Sequence, residues 1–134
     1  MGENNFFKFL FQKKDEIPST KLLASFVKMF PNAKNAEWVE RGGHYEVIFY
    51  EGDIEKIAEF EEYGNCLLLK TNLNLLLFQG KLREVAEKYG EVMNTIKIEK
   101  ENTTQFEIIV RDAELTRYLL ILDEEGNELK FEKL

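Results

Sequence analysis

The chain predicts an α+β fold: two tandem helix-plus-antiparallel-meander repeats, with helices packed on one face of an antiparallel sheet. Three observations carry this expectation. The first is a self-similarity at an offset of roughly sixty residues, room for a helix and a small sheet. Leu23, Phe26, Val27 and Phe30-Pro31 are echoed by Leu82, Val85, Ala86 and Tyr89-Gly90. Tyr45 to Phe49 is echoed by Phe106 to Val110, Phe60-Glu61 by Leu122-Asp123, and Gly64-Asn65 by Gly126-Asn127. The second is an apolar stripe at helical spacing early in each half. The third is strict alternation of apolar and polar residues after it. Residues 1–18 read as a lead-in, 19–71 as the first repeat and 72–134 as the second, forming one compact domain.

Residues 3–16 are polar and aromatic, suited to a short helix, which Ile17-Pro18 ends. Ser19 or Thr20 caps the next helix, which runs to about Phe30 and carries Leu22, Leu23, Phe26, Val27 and Phe30 as its stripe. Pro31-Asn32 stops it. Ala36 to Glu40 is a strand, and Arg41-Gly42-Gly43 turns into His44 to Tyr50. There Tyr45, Val47 and Phe49 point one way, and His44, Glu46, Ile48 and Tyr50 the other. Ile54 to Phe60 and Cys66 to Lys70 complete the first meander. Residues 71–79 fit strand, loop or helix start. Lys81 to Tyr89 is the second helix, closed by Gly90. Strands follow at about 94–100, 105–111 and 115–122, then at Glu128 to Glu132.

A net charge of −7 and a pI near 4.9 argue against nucleic acid, whose phosphates need clustered Lys and Arg, and against an anionic membrane surface. No run approaches the roughly 20 apolar residues of a membrane span. The single cysteine, Cys66, has no partner for a disulfide within the chain. Neither a secretory signal nor a myristoylation motif is formed at the start: Lys8 interrupts the Phe6 to Phe11 run, and position 6 is Phe. The protein is expected to be periplasmic or exported if a signal was trimmed, and cytoplasmic otherwise.

Phe30-Pro31-Asn32-Ala33, Ala36-Glu37-Trp38, Tyr45-Glu46-Val47-Ile48-Phe49, then Phe60-Glu61 and Gly64 resemble the landmarks of the PepSY-like family of beta-lactamase-inhibitor-like proteins. The resemblance covers residues 19–134. Tyr89-Gly90, Phe106-Glu107-Ile108 and Leu122-Asp123-Glu124-Glu125-Gly126 stand as a degraded second copy. Phe78-Gln79-Gly80 replaces the Leu-Pro common before the second helix. The resemblance implies a sheet with helices on one side and a protein-binding role, without an established activity.

The residues themselves show no catalytic constellation. No serine sits in a nucleophile elbow, since Ser19 and Ser25 belong to the first helix. One His (His44) and one Cys cannot make a zinc site. Asp123, Glu124, Glu125, Asn127 and Glu128 read as a solvated hairpin turn rather than a calcium loop. Gly42-Gly43 lies between strands and not before a helix. No catalytic, metal or cofactor residues are assigned, and no cofactor is expected. The informative surface is the sheet face away from the helices. Parity and the repeat place His44, Ile48, Tyr50, Ile57, Ile109, Arg111, Tyr118 and Leu120 there, an apolar and aromatic set for a solvated face. A protein partner, a second copy or residues 3–16 would each cover it. The expected function is a non-enzymatic protein-binding or inhibitor-like module presenting that open face. An acidic cytoplasmic chaperone-like dimer, or a ligand carrier or enzyme with a helix–sheet cavity, are the alternatives.

Overall fold

The computed structural model describes residues 18–134. The lead-in, and the cover expected from residues 3–16, lie outside the described residues except for Pro18. Two helices and eight strands succeed one another in chain order among the described residues. They are α1 (Thr20–Met29), β1 (Lys34–Arg41), β2 (His44–Glu51), β3 (Ile54–Glu61), β4 (Cys66–Leu73), α2 (Lys81–Glu87), β5 (Glu91–Lys100), β6 (Thr103–Arg111), β7 (Arg117–Asp123) and β8 (Glu128–Lys133). Each helix precedes a run of four antiparallel strands in meander order. The chain divides into two units, one ending at Leu69 and one spanning Lys70–Leu134. The division falls inside β4. The stretch 71–79 is thus strand to Leu73 and turn beyond it, with Phe78 buried.

In the first unit Ser19 caps α1, its Oγ accepting from the Leu22 N–H at 3.1 Å. Leu22 and Phe26 face the strands and pack with Phe30, Trp38, Val47, Phe49, Ala58 and Phe60. Phe26 meets Trp38 and Phe49 edge to face, with centroids 5.2 and 5.1 Å away. Val27, expected in this stripe, is instead 59% exposed, because a ten-residue helix buries a narrower face than five positions cover. Gly64 turns β3 into β4 at φ +99°, and a Cβ there would stand 2.9 Å from Ser25 Oγ. Only glycine combines that backbone conformation with so close a helix.

The second unit repeats the frame with smaller residues. Gly126 sits against Leu82 and Val85 of α2 as Gly64 sits against Ser25 of α1. Both turns are tied alike: Glu61 N–H donates to Asn65 C=O, and Asp123 N–H to Asn127 C=O, each at 3.0 Å. Burial sets the helix offset at sixty residues rather than the fifty-nine that matches Phe26 to Val85, so the buried Ala86 stands for Phe26 and Gly90 for Phe30. α2 accordingly lies close over β5 and β6. Gly90, at φ +154°, comes so near Arg111 that a Cβ would stand 2.6 Å from its carbonyl oxygen. Phe78, Phe106, Val92, Ile108, Val110, Leu120 and Leu122 complete the core.

Thr95 pairs with Ile108 as Trp38 pairs with Val47, so it holds the Trp38 position of the second repeat. It is 1% exposed, and among the described residues its hydroxyl has no hydrogen-bond partner. A buried hydroxyl left unpaired loses its water without recompense. Thr95→Val keeps the shape and is expected to raise stability by about 1 kcal/mol in urea titrations. A loss of stability would instead reveal a buried water bonded to this hydroxyl.

The Asp123 carboxylate accepts from the N–H of Asn127 at 2.8 Å, from the Asn127 side-chain amide at 3.1 Å and from the Glu125 N–H at 3.0 Å. The Asn127 backbone bond first, then its side-chain amide, hold the carboxyl below its ordinary 3.8. A depressed folded pKa stabilises fully above the unfolded value, and the gain fades as pH falls through the lower folded value. The urea midpoint of the wild type should therefore exceed that of Asp123→Asn at pH 6. That margin should shrink below pH 3.8. A margin independent of pH would remove Asp123 as its source.

Candidate partner-binding face

Partners in an antiparallel ladder point to the same side, so strand register assigns every side chain to a face. Val47 and Phe49 on β2, with Ala58 and Phe60 on β3, turn toward α1 and are fully buried. His44, Glu46, Ile48 and Tyr50 therefore form the open face, opposite Glu61, Glu59, Ile57 and Glu55. From β1, Val39 and Glu37 join them opposite Glu46 and Ile48. Ile48 and Ile57 stand side by side and are half-buried, while Tyr50 is 37% exposed. Around this apolar pair lie Glu37, Glu46, Glu55, Glu59 and Glu61. Lys34 stands opposite Tyr50, the Arg41 Nε lies 3.2 Å from Glu46 Oε1, and the His44 Nδ1 lies 3.7 Å from Glu59 Oε2. The face of the first unit is acidic with an apolar centre.

On the second unit, Ile109 stands opposite Leu119, and Glu107 opposite both Ile96 and Ile121. Arg111 stands opposite Arg117 and reaches Glu91 at 3.0 Å. This open face is mixed in charge and richer in aliphatic residues. Ile96, Ile98, Leu119 and Ile121 belong to it and were not singled out from the sequence. The alternation Thr95-Ile96-Lys97-Ile98 is the signal that marks the first two.

Of the eight residues expected on open faces, His44, Ile48, Tyr50 and Ile57 are brought together in the first unit, and Ile109 and Arg111 lie on β6 of the second. Tyr118 does not belong with them. It stands opposite Val110 and packs against the second core, as does Leu120, which pairs with Ile108 and is fully buried. The physical reason is a drift in the repeat. The offset is sixty residues in the helices, sixty-one from Val47 to Ile108, and sixty-two from Ala58 to Leu120. The counterpart of Ile57 is thus Leu119, and a slip of one residue flips the face. The Tyr118 ring stacks on Phe131 at 4.9 Å, and its hydroxyl lies 3.3 Å from Asp112 Oδ2. Loss of water, then the Asp112 charge, push its pKa up.

Cys66 is half-buried against the first core, its thiol 3.5 Å from the Leu68 carbonyl oxygen. Burial pushes its pKa up, which lowers its thiolate fraction. Among the described residues no group of three or more His, Cys, Asp or Glu is placed to hold a metal ion. Nor is any helix among them long and apolar enough to cross a membrane.

No protein-family model matches the chain, and no curated protein matches it. Solved structures do. A DUF2874 family protein from Bacteroides ovatus is 21% identical, with a TM-score of 0.74 over 87% of this chain and 88% of that one. A BLIP-like protein from Bacteroides fragilis is 22% identical, with a TM-score of 0.74 over 88% of this chain and 87% of that one. A protein from Bacteroides eggerthii proposed to be periplasmic is 14% identical, with a TM-score of 0.75 over 87% and 89%. These likenesses show that the chain has the fold of the BLIP-like and DUF2874 proteins.

The face assignment makes a differential prediction. Tyr118→Ser should cost about 2 kcal/mol or more, since it strips a ring from the second core. Ile48→Ser should cost about 1 kcal/mol, since half of that side chain already meets water. Urea unfolding of both variants checks this, and equal costs would contradict the assignment.

Proposed function

We propose that the chain is a non-enzymatic protein-binding module, inhibitor-like in mode, that engages a basic partner through the open face of its first unit. The observation that carries the reading is the Ile48–Ile57 pair, with Tyr50 beside it, inside a frame of five glutamates. Apolar residues at the centre of a sheet face supply burial, and Tyr50 supplies area at low entropic cost. The carboxylates steer a cationic surface toward them and repel acidic competitors, including a second copy of the same face. The likeness to a BLIP-like protein supports a role in which a surface rather than a reaction is the working part. The fold relative proposed to be periplasmic supports an exported location.

Capture from a lysate of the source organism tests this. The bait would be the wild type beside an Ile48→Ser, Tyr50→Ser variant shown to be folded by its thermal transition. A protein held by the wild type, lost by the variant and released by moderate salt is the expected result. Retention that ignores both the substitutions and the salt would overturn the reading.

A further inference from the structure

We infer that β8 is a self-complementary edge, through which two copies of the chain pair antiparallel about a two-fold axis at Phe131. The inference is independent of the open-face reading, because it concerns main-chain groups at a strand edge. β8 is last in the strand order and, among the described residues, pairs on one side only, with β7. All six of its residues are exposed. Its first residues take part in a register shift against β7, so the regular stretch begins at Lys130.

The main chain sets which groups are free. The Leu134 N–H donates to the Arg117 carbonyl at 3.0 Å, so the even-numbered residues of this stretch turn toward β7. Alternation then directs the N–H and C=O of Phe131 and Lys133 to the outer edge. These are the groups an added strand would take up.

The side chains set the register. A two-fold axis normal to the sheet keeps each face on its own side. Residues that meet across it must therefore point the same way. With the axis at Phe131, each Phe131 donates its N–H to the other's carbonyl. Lys130 then stands opposite the second copy's Glu132, and Glu132 opposite the second copy's Lys130. Moving the axis to Lys130 sets that lysine against itself and Glu128 against Glu132. Moving it to Glu132 sets that carboxylate against itself. Charge therefore favours one register over both neighbouring ones.

The aromatic side agrees. Phe131 is 38% exposed, yet its ring is held in place by Tyr118 and Tyr89, each with its centroid 4.9 Å away. The Tyr89 hydroxyl in turn donates to Glu128 Oε1 at 2.5 Å. Pairing at Phe131 would bring two such clusters together and remove both rings from water. The outer edge of β1, first in the strand order among the described residues, is different. Its ladder with β2 is broken by a bulge in which Asn35 takes φ +57°, a device that spoils an edge for pairing.

Sedimentation equilibrium over a range of protein concentrations tests this, with thermal transitions to confirm that each variant is folded. The wild-type mass should rise toward that of two chains as concentration increases. Lys130→Glu and Glu132→Lys each place like charges in both cross-strand pairs and should weaken the dimer by about tenfold or more. An equimolar mixture of the two variants restores opposite charges and should dimerise like the wild type. So should the double variant Lys130→Glu, Glu132→Lys. A wild type that stays monomeric at all concentrations would overturn the inference. So would a dimer that the single variants leave intact, or weakened variants that mixing does not restore.

Discussion

The first unit depends on Phe26. Its ring lies 5.1 to 6.2 Å from those of Phe49, Trp38, Phe30 and Phe60, three of these contacts being edge to face. An aromatic so placed is both burial and spacer. It holds α1 off the strands and decides which parity of β2 and β3 is dry. Once Val47, Phe49, Ala58 and Phe60 are committed to that side, the pleat leaves His44, Ile48, Tyr50 and Ile57 no choice of face. The open face is thus a consequence of the core.

The second unit lacks that spacer. Ala86 stands where Phe26 would be and Gly90, beyond the end of α2, where Phe30 would be, and α2 lies close over β5 and β6. Packing density is recovered by approach rather than by side-chain volume. Thr95 at the Trp38 position fits this smaller space, but its hydroxyl is stranded there. A duplicated frame can keep its turns, as the paired Asn65 and Asn127 hydrogen bonds show, while its interior is rebuilt on a different principle.

Much of this was legible in the sequence, because alternation and turn chemistry are local. The helix cap at Ser19, the strands His44–Glu51 and Thr103–Arg111, and the two Gly-Asn turns are each written in a few adjacent residues. What failed was arithmetic across distance. A repeat that drifts by two residues between helix and third strand cannot be aligned with one offset, and parity makes the smallest drift decisive: it moved Tyr118 and Leu120 to the wrong face. Ile96 and Ile98 were marked by local alternation, whereas Leu119 and Ile121 stayed hidden because their face is set by register against β6. The packing of Phe131 with Tyr89 and Tyr118 was invisible for the same reason, since the three residues come from three separate segments of the chain.

A sheet that has committed one face to its core can meet other molecules in two ways, and they obey different physics. A face offers side chains alone, so its selectivity comes from which apolar group stands inside which charge field. Ile48 and Ile57 inside five glutamates give such a pattern, one that discourages meeting its own copy. An edge offers main-chain groups that any strand can satisfy, so its selectivity comes from register. Lys130 and Glu132, two residues apart on either side of Phe131, form a sequence that is its own complement when reversed. The same charges that keep foreign strands away make a second copy the matched partner. Like charge turns copies away from the first unit's face, whereas alternating charge draws them to the second unit's edge.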